Sequence, residues 1–289
     1  MADGGYVTSV GTSDLESITI LGRDLATELM GRVSFGELAF WLVKQERPTA
    51  GELAVFEAVL VALADHGFTP SAIAARLTLY GAPESVQGAV AAGLLGGGSR
   101  FLGVTEDCGR FLAATLAEWR AGGGVLPGQA VIGEEFQGID LKFFPNDPAE
   151  AAGWDEIALA AVRRRREAGL LIPGLGHPVH KNGDPRTPAL IAIAEAAGQR
   201  GPHLRLFEAI GRVHPEVLGR RLPLNGAGVC GAALADLGFA PEMMRGFALL
   251  ARTAGLLGHL AEELRRPAGP GIYATAEDSV SYRAPGTAG

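Results

Sequence analysis

Apolar residues return at helical spacing along nearly the whole chain, and glycine and alanine stand where those helices would touch. Leu53, Phe56, Leu60 and Leu63 mark one such face, and no stretch shows the sustained alternation that a strand needs. The same reading predicts helices near 35–44, 69–80, 84–96, 106–121, 148–168, 188–198, 204–220, 226–237 and 241–265. Start and stop signals agree with it. Asp147-Pro148-Ala149-Glu150 offers a cap, a first-turn proline and a carboxylate, and Thr187-Pro188 repeats the pattern. Gly238 and Pro241 separate the last two long helices. Segments such as AVAAGLLGGG and NGAGVCGAALADLG let helix backbones approach closely. The expected fold class is therefore all-α and tightly packed. The glycine-rich stretch from Gly122 to about Gly138 reads as a hinge into a smaller lobe.

Composition narrows the partners. A chain of 289 residues can bury a large core. Its net charge of −7 argues against nucleic acid, while its basic residues fall in small local groups that suit a small anionic ligand. Two cysteines, Cys108 and Cys230, are too few for a disulfide framework and fit a reducing, cytoplasmic setting. The opening MADGGYVTSV has no charged and apolar signal-peptide pattern. Mean hydropathy is positive, yet charges or glycines interrupt every long apolar run, so no membrane span is expected. The apolar excess points to a core or a subunit interface, hence a homo-oligomer.

Four polar spots stand against this background. In GLGHPVHKNGDPR, the residues His177, His180, Lys181, Asp184 and Arg186 share a Gly/Pro-rich loop. The histidines lack the helical i,i+4 spacing of a metal pair, and Lys181-Asn182 breaks a nucleotide-phosphate loop. Anion capture fits better, with Arg186 as a planar fork just before a helix start. A solvated basic turn is the competing reading. His66, in LADHGFTP, reads alone as a helix-ending histidine. Arg252 sits mid-helix among apolar residues, so it needs a structural carboxylate or a bound anion as partner. Asn225, in LPLNGAGVCG, marks a close backbone approach at a helix start.

Taken in order, these motifs resemble the citrate synthase superfamily. GLGHPVHKNGDPR is similar to that family's histidine-to-Asp-Pro-Arg loop, LADHG to its first histidine motif, and ARTAGLLGHLAEELRRP to its arginine helix. The stretch RVSFGELAFWLV…PTAGELAVFEAVLVALADHG resembles its opening helices. The resemblance runs from about residue 14 to about 283. It looks nearest to the short branch, citryl-CoA lyases and the C-terminal module of ATP-citrate lyase. Phe101, in GGGSRFLGVTED, stands where full citrate synthases carry a catalytic histidine. The resemblance implies a large helical domain (1–107 and 223–289), a smaller closing domain (108–222) and a homodimer with a shared site.

It also implies roles. His177 and His66 become the catalytic pair, with His177 at the oxygen that turns from hydroxyl to carbonyl. Arg186, Arg252, Arg266, Phe101 and Asn225 become substrate contacts, with Arg266 reaching into the partner subunit's site. Lys181 would face a coenzyme A phosphate, and His180 has no assigned part. The ligands implied are a small polycarboxylate and a coenzyme A thioester, with no metal and no nicotinamide. One departure bears on activity: Ala227 stands where the family has an acid/base aspartate. Glu84, Glu106, Asp107 or water are the substitutes the sequence offers. The expected activity is retro-Claisen cleavage of citryl-CoA. The alternatives are condensation of an acyl-CoA with a 2-oxo acid, or a non-catalytic carboxylate or CoA binder.

Overall fold

The computed structural model describes residues 5–128 and 148–285. Eleven α-helices among these residues carry the fold: α1 Phe35–Lys44, α2 Ala50–Ala64, α3 Pro70–Gly81, α4 Val86–Leu95, α5 Val104–Ala121, α6 Pro148–Glu167, α7 Arg186–Ala196, α8 Pro202–Leu218, α9 Gly226–Asp236, α10 Pro241–Arg265 and α11 Gly269–Asp278. Caps explain several starts. Ser34, Thr49, Thr69 and Ser85 each accept a backbone N–H of the following turn, and Thr49 with Glu52 closes a full capping box. Pro70, Pro202 and Pro241 supply first-turn residues that need no donor.

Three elements depart from the sequence reading. A small antiparallel meander, β1 Gly11–Ser13, β2 Ile18–Ile20 and β3 Arg23–Asp24, precedes a π-helical turn at Leu25–Leu29. Its strands have two or three residues, too short for alternation to register. Helix α11 was not anticipated, because its Gly-Pro-Gly opening reads as a turn. Helix α7 begins at Arg186 behind Pro185, rather than at the Thr187-Pro188 pair. The cap proposed at Asp147 and most of the hinge stretch lie outside the described residues. No described helix is long and apolar enough to cross a membrane.

A main apolar core links most of the helices, and a smaller cluster of Ala75, Leu79, Ala89, Leu256 and Leu260 joins α3, α4 and α10. In the main core Phe40, Phe56, Phe239 and Phe247 pack together at centroid distances of 4.6 to 5.7 Å, mostly edge-on, and Leu112, Ile157, Leu206 and Leu234 continue the same cluster. The domain boundary expected at residue 108 falls inside α5.

Helix α10 lies close against α2 because Gly255 has no side chain. A methyl there would run into the Ala64 carbonyl and the Asp65 side chain. Gly255→Ala is therefore expected to lower stability by about 1–3 kcal/mol, the usual cost of overpacking. A thermal melt checks it, and an unchanged Tm would show that the two helices can part freely.

Candidate active site

The site starts where α2 ends. Its last carbonyls have no helical partner and carry the negative end of the helix dipole. Arg186 Nη1 donates to the Ala62 carbonyl at 3.2 Å, and Arg252 Nε and Nη2 donate to the Leu63 carbonyl at 3.3 and 3.2 Å. Two arginines from distant parts of the chain thus meet at one helix end. Arg252 is only 4 % exposed, and its remaining contact is Thr69 Oγ1 at 3.5 Å. Among the described residues it has no ion-pair partner, so the structural carboxylate weighed from sequence is not there. Burial lowers its pKa, with Asp65 opposing and Arg186 adding to the fall.

Just past α2 the chain turns through Asp65, His66 and Gly67, where a φ of +73° suits glycine. Asp65 Oδ2 accepts the Gly67 N–H at 2.8 Å, and Oδ1 lies 2.9 Å from His259 Nε2. Arg76 fixes the tautomer of that histidine. Its Nε and Nη2 lie 3.2 and 3.0 Å from His259 Nδ1. A guanidinium only donates, so Nδ1 is bare and Nε2–H donates to Asp65. Arg76 is fully buried, bonded to Glu263 at 2.7 Å and to Glu262. Burial favours the neutral Asp65 carboxyl, but the Gly67 and His259 hydrogen bonds outweigh it, and its pKa is lowered. This network brackets His66. The sequence reading missed it, since the partners of Arg76 lie more than 180 positions away.

The second half of the site is the loop before α7. Gly174 and Gly176 take φ values of +83° and +92°, a region that disfavours any side chain. Their backbone is stitched to the start of α9. Asn225 N–H donates to the Gly174 carbonyl at 2.9 Å, Gly176 N–H to the Pro223 carbonyl at 2.7 Å, and Asn225 Nδ2 to the Gly176 carbonyl at 2.8 Å. Asn225 Oδ1 meanwhile accepts the Gly228 N–H at 2.8 Å, capping α9. Both ends of its amide are thus held by protein, so Asn225 positions this loop.

His177 is held more tightly than its loop setting suggests. Its Nδ1 accepts the peptide N–H groups of Val179 and His180 at 3.0 and 2.9 Å. Peptide N–H groups only donate, so Nδ1 is unprotonated and the single ring proton sits on Nε2. Burial lowers the His177 pKa; nearby Asp184 opposes, while His180, His66 and Arg186 add to the fall. The ring is thus a neutral Nε2–H donor.

Asp184, which sequence reading left without a role, is the anchor. It is buried and accepts Arg186 Nη2 at 2.7 Å, Arg186 Nε at 3.0 Å and the Arg186 N–H at 3.1 Å. It also accepts the Gly226 N–H at 2.7 Å, so one carboxylate orients Arg186 and caps α9. Burial would raise its pKa, but the Arg186 and Gly226 bonds prevail and hold it well below the usual carboxylate range. Gly226 leaves room for this, because a methyl there would strike the Arg186 guanidinium.

The three loop and turn histidines come together. Ring centroids lie 5.2 Å apart for His66 and His177, 5.5 Å for His66 and His180, and 4.5 Å for His177 and His180. One nitrogen from each lies within 4.8 Å of the others. Among the described residues the His66 and His180 rings make no hydrogen bond. His66 is therefore not the carbonyl-bonded helix end considered from sequence. Three imidazoles are also a metal-ligand set in type. His177 does not suit it: a neutral ligand binding through Nε2 needs its proton on Nδ1, where two N–H groups already point.

The remaining residues are more scattered. Lys181 is exposed, and its Nζ donates to the His177 carbonyl at 2.9 Å. Phe101 is exposed in the turn before α5, with no ring contact to the histidines. Arg266 is exposed at the C-cap of α10, two turns beyond His259. Ala227 lies in the first turn of α9. Of the carboxylates considered as its substitute, Glu106 is bound to Arg110 and Arg245 at 2.9 and 2.8 Å, Asp107 is near Arg245, and Glu84 is exposed.

Residues 147–269 match the citrate synthase C-terminal domain family. The structure superposes on citryl-CoA lyase from Hydrogenobacter thermophilus with a TM-score of 0.77 and 28 % identity, covering 98 % of this chain and 96 % of that one. The chain is similar to the citrate synthase superfamily in fold over nearly its full length and in sequence over residues 147–269. ATP citrate lyase from Methanosaeta concilii, solved with (3S)-citryl-CoA, shares the fold at a TM-score of 0.69 and 21 % identity; 99 % of this chain aligns with 42 % of that one. Citrate synthase from Thermotoga maritima shares it at 0.62 and 15 %, over 89 % of this chain and 59 % of that one. A search of curated proteins finds no match. The all-α, citrate synthase-like fold expected from sequence is thus the fold observed.

Proposed function

We propose that this citrate synthase-like chain cleaves citryl-CoA, or a related 3-hydroxy-3-carboxyacyl-CoA, to acetyl-CoA and oxaloacetate. The observation that carries this reading is the locked His177 ring, a neutral Nε2–H donor beside two further imidazoles and two arginines at the end of α2. A retro-Claisen cleavage needs such a set. Cations hold the polycarboxylate, and a preorganised donor stabilises charge on the oxygen as it becomes a carbonyl. In this reading Arg186, Arg252 and His66 bind carboxylates, and His177 bonds the reacting oxygen. Exposed Lys181 meets a CoA phosphate, and Phe101 offers the acyl-CoA an apolar surface. Arg266 is exposed at the end of α10, and in this reading it completes the site of a second copy in a homodimer. The similarity to citryl-CoA lyase over nearly its full length supports the reading.

Ala227 supports a second one, a binder without turnover, because a methyl group can neither give nor take a proton. Condensation in the reverse sense shares the transition state and needs no separate site. The test incubates purified protein with citryl-CoA, and separately with acetyl-CoA plus oxaloacetate, following oxaloacetate and free thiol. Oxaloacetate released from citryl-CoA is the expected result. Binding of citrate and CoA with no turnover in either direction would leave the binder.

A further inference from the structure

Cleavage moves one proton from the tertiary hydroxyl to the acetyl carbon, and among the described residues no obvious carboxylate performs the move. His177 cannot take it, since its Nε2 already bears hydrogen and its Nδ1 is closed by two N–H groups. Ala227 cannot. Asp184 is committed to Arg186 and Gly226, Asp65 to His259 and Gly67, and Glu106 to two arginines. What remains free near His177 is imidazole. His66 shares the end of α2 with both arginines, which places it on the carboxylate side. His180 rides on the same turn as His177, its peptide N–H donating to that ring and its own ring 4.5 Å away with no hydrogen bond among the described residues.

We propose that His180 is the proton carrier of the reaction, in place of the absent aspartate. This rests on the citryl-CoA reading above. An oxygen lying between three nitrogens spaced as these are sits about 3 Å from each, within hydrogen-bond reach. The neutral His180 imidazole takes the hydroxyl proton. The C–C pair then leaves with the thioester α-carbon as an enolate, and the new carbonyl oxygen accepts the His177 Nε2–H. The His180 imidazolium next protonates the α-carbon, giving acetyl-CoA and restoring the neutral ring. Hydroxyl oxygen and α-carbon are attached to the same carbon, so one nitrogen can serve both. One C–C bond breaks, one proton moves from O to C, and no co-reactant is consumed.

The test compares wild type, His180→Ala and His180→Gln with citryl-CoA. The expected result is a fall in kcat of about 10²-fold in both variants, with KM held within a few-fold and the alanine variant regaining rate with added imidazole. If wild type turns over and either variant keeps kcat within threefold, His180 carries no proton and the citryl-CoA reading survives without it. A loss confined to KM, or one that imidazole does not restore, assigns His180 to holding the loop and overturns the proposal. A wild type inert toward citryl-CoA overturns both.

Discussion

Asp184→Ala is expected to lower Tm by roughly 5–10 °C, corresponding to about 3 kcal/mol. The carboxylate accepts three donors from Arg186 and the N–H that opens α9, so its loss strands a cation and an orphan donor together. The figure is set at the lower end for a broken buried pair because the Arg186 side chain keeps 22 % exposure, whereas Asp184 has none. The pH dependence has a definite sign. The folded carboxyl is held below its ordinary value, so its contribution is fully present above about pH 4 and is lost as pH falls through the lower folded value. Asp184→Ala should therefore flatten the acid limb of the stability curve as well as lower its plateau. Thermal melts between pH 7 and pH 3 check both. A variant with the wild-type Tm would mean that Arg186 finds another partner and that Asp184 is not the anchor of this loop.

The same residue shows where the sequence stops being readable. Helices announce themselves through nearby signals: Thr49 with Glu52 closes its box over three residues, and Pro70, Pro202 and Pro241 mark starts. The histidines and arginines of the site were legible by type and order, because a buried Arg252 in an apolar helix demands an anion wherever it folds. Their partners were not. Asp184 meets Gly226 across 42 positions, and Arg76 reaches His259 across 183. No local period encodes such pairs. The tautomer of His177 likewise depends on the peptide N–H groups of Val179 and His180, which only a folded turn aims at one nitrogen. His180 was an unassigned loop residue in the string and becomes a candidate carrier once its ring is seen beside His177. Helix α7 starts one residue before the Thr187-Pro188 signal because the bonds from Arg186 to Asp184 set its first turn. Here one local contact overrode another local cue.

Arg252→Ala is expected to weaken polycarboxylate binding by about 10²–10³-fold while leaving the folded chain at least as stable as wild type. The first part follows from losing a buried, charged hydrogen-bond partner, which costs 2–5 kcal/mol in binding, at about 1.4 kcal/mol per tenfold. The second follows from what the ligand-free arginine contacts: one carbonyl, at 3.3 and 3.2 Å, and a long approach to Thr69, with no ion pair among the described residues. A buried charge so weakly compensated costs desolvation that its contacts only partly return, as its lowered pKa records. Removing it relieves that cost. Helix α2 keeps Arg186 on its adjacent Ala62 carbonyl. An arginine retained for structure would behave in the opposite way, its loss lowering Tm with or without ligand. Melts with and without citrate separate the two. Wild type gains stability as ligand accumulates above its Kd, by about 2.7 kcal/mol at a hundredfold excess, and the variant should gain almost nothing at that concentration. A variant that melts several degrees lower yet keeps the full citrate-induced rise would show that Arg252 serves the helix pair and not the ligand.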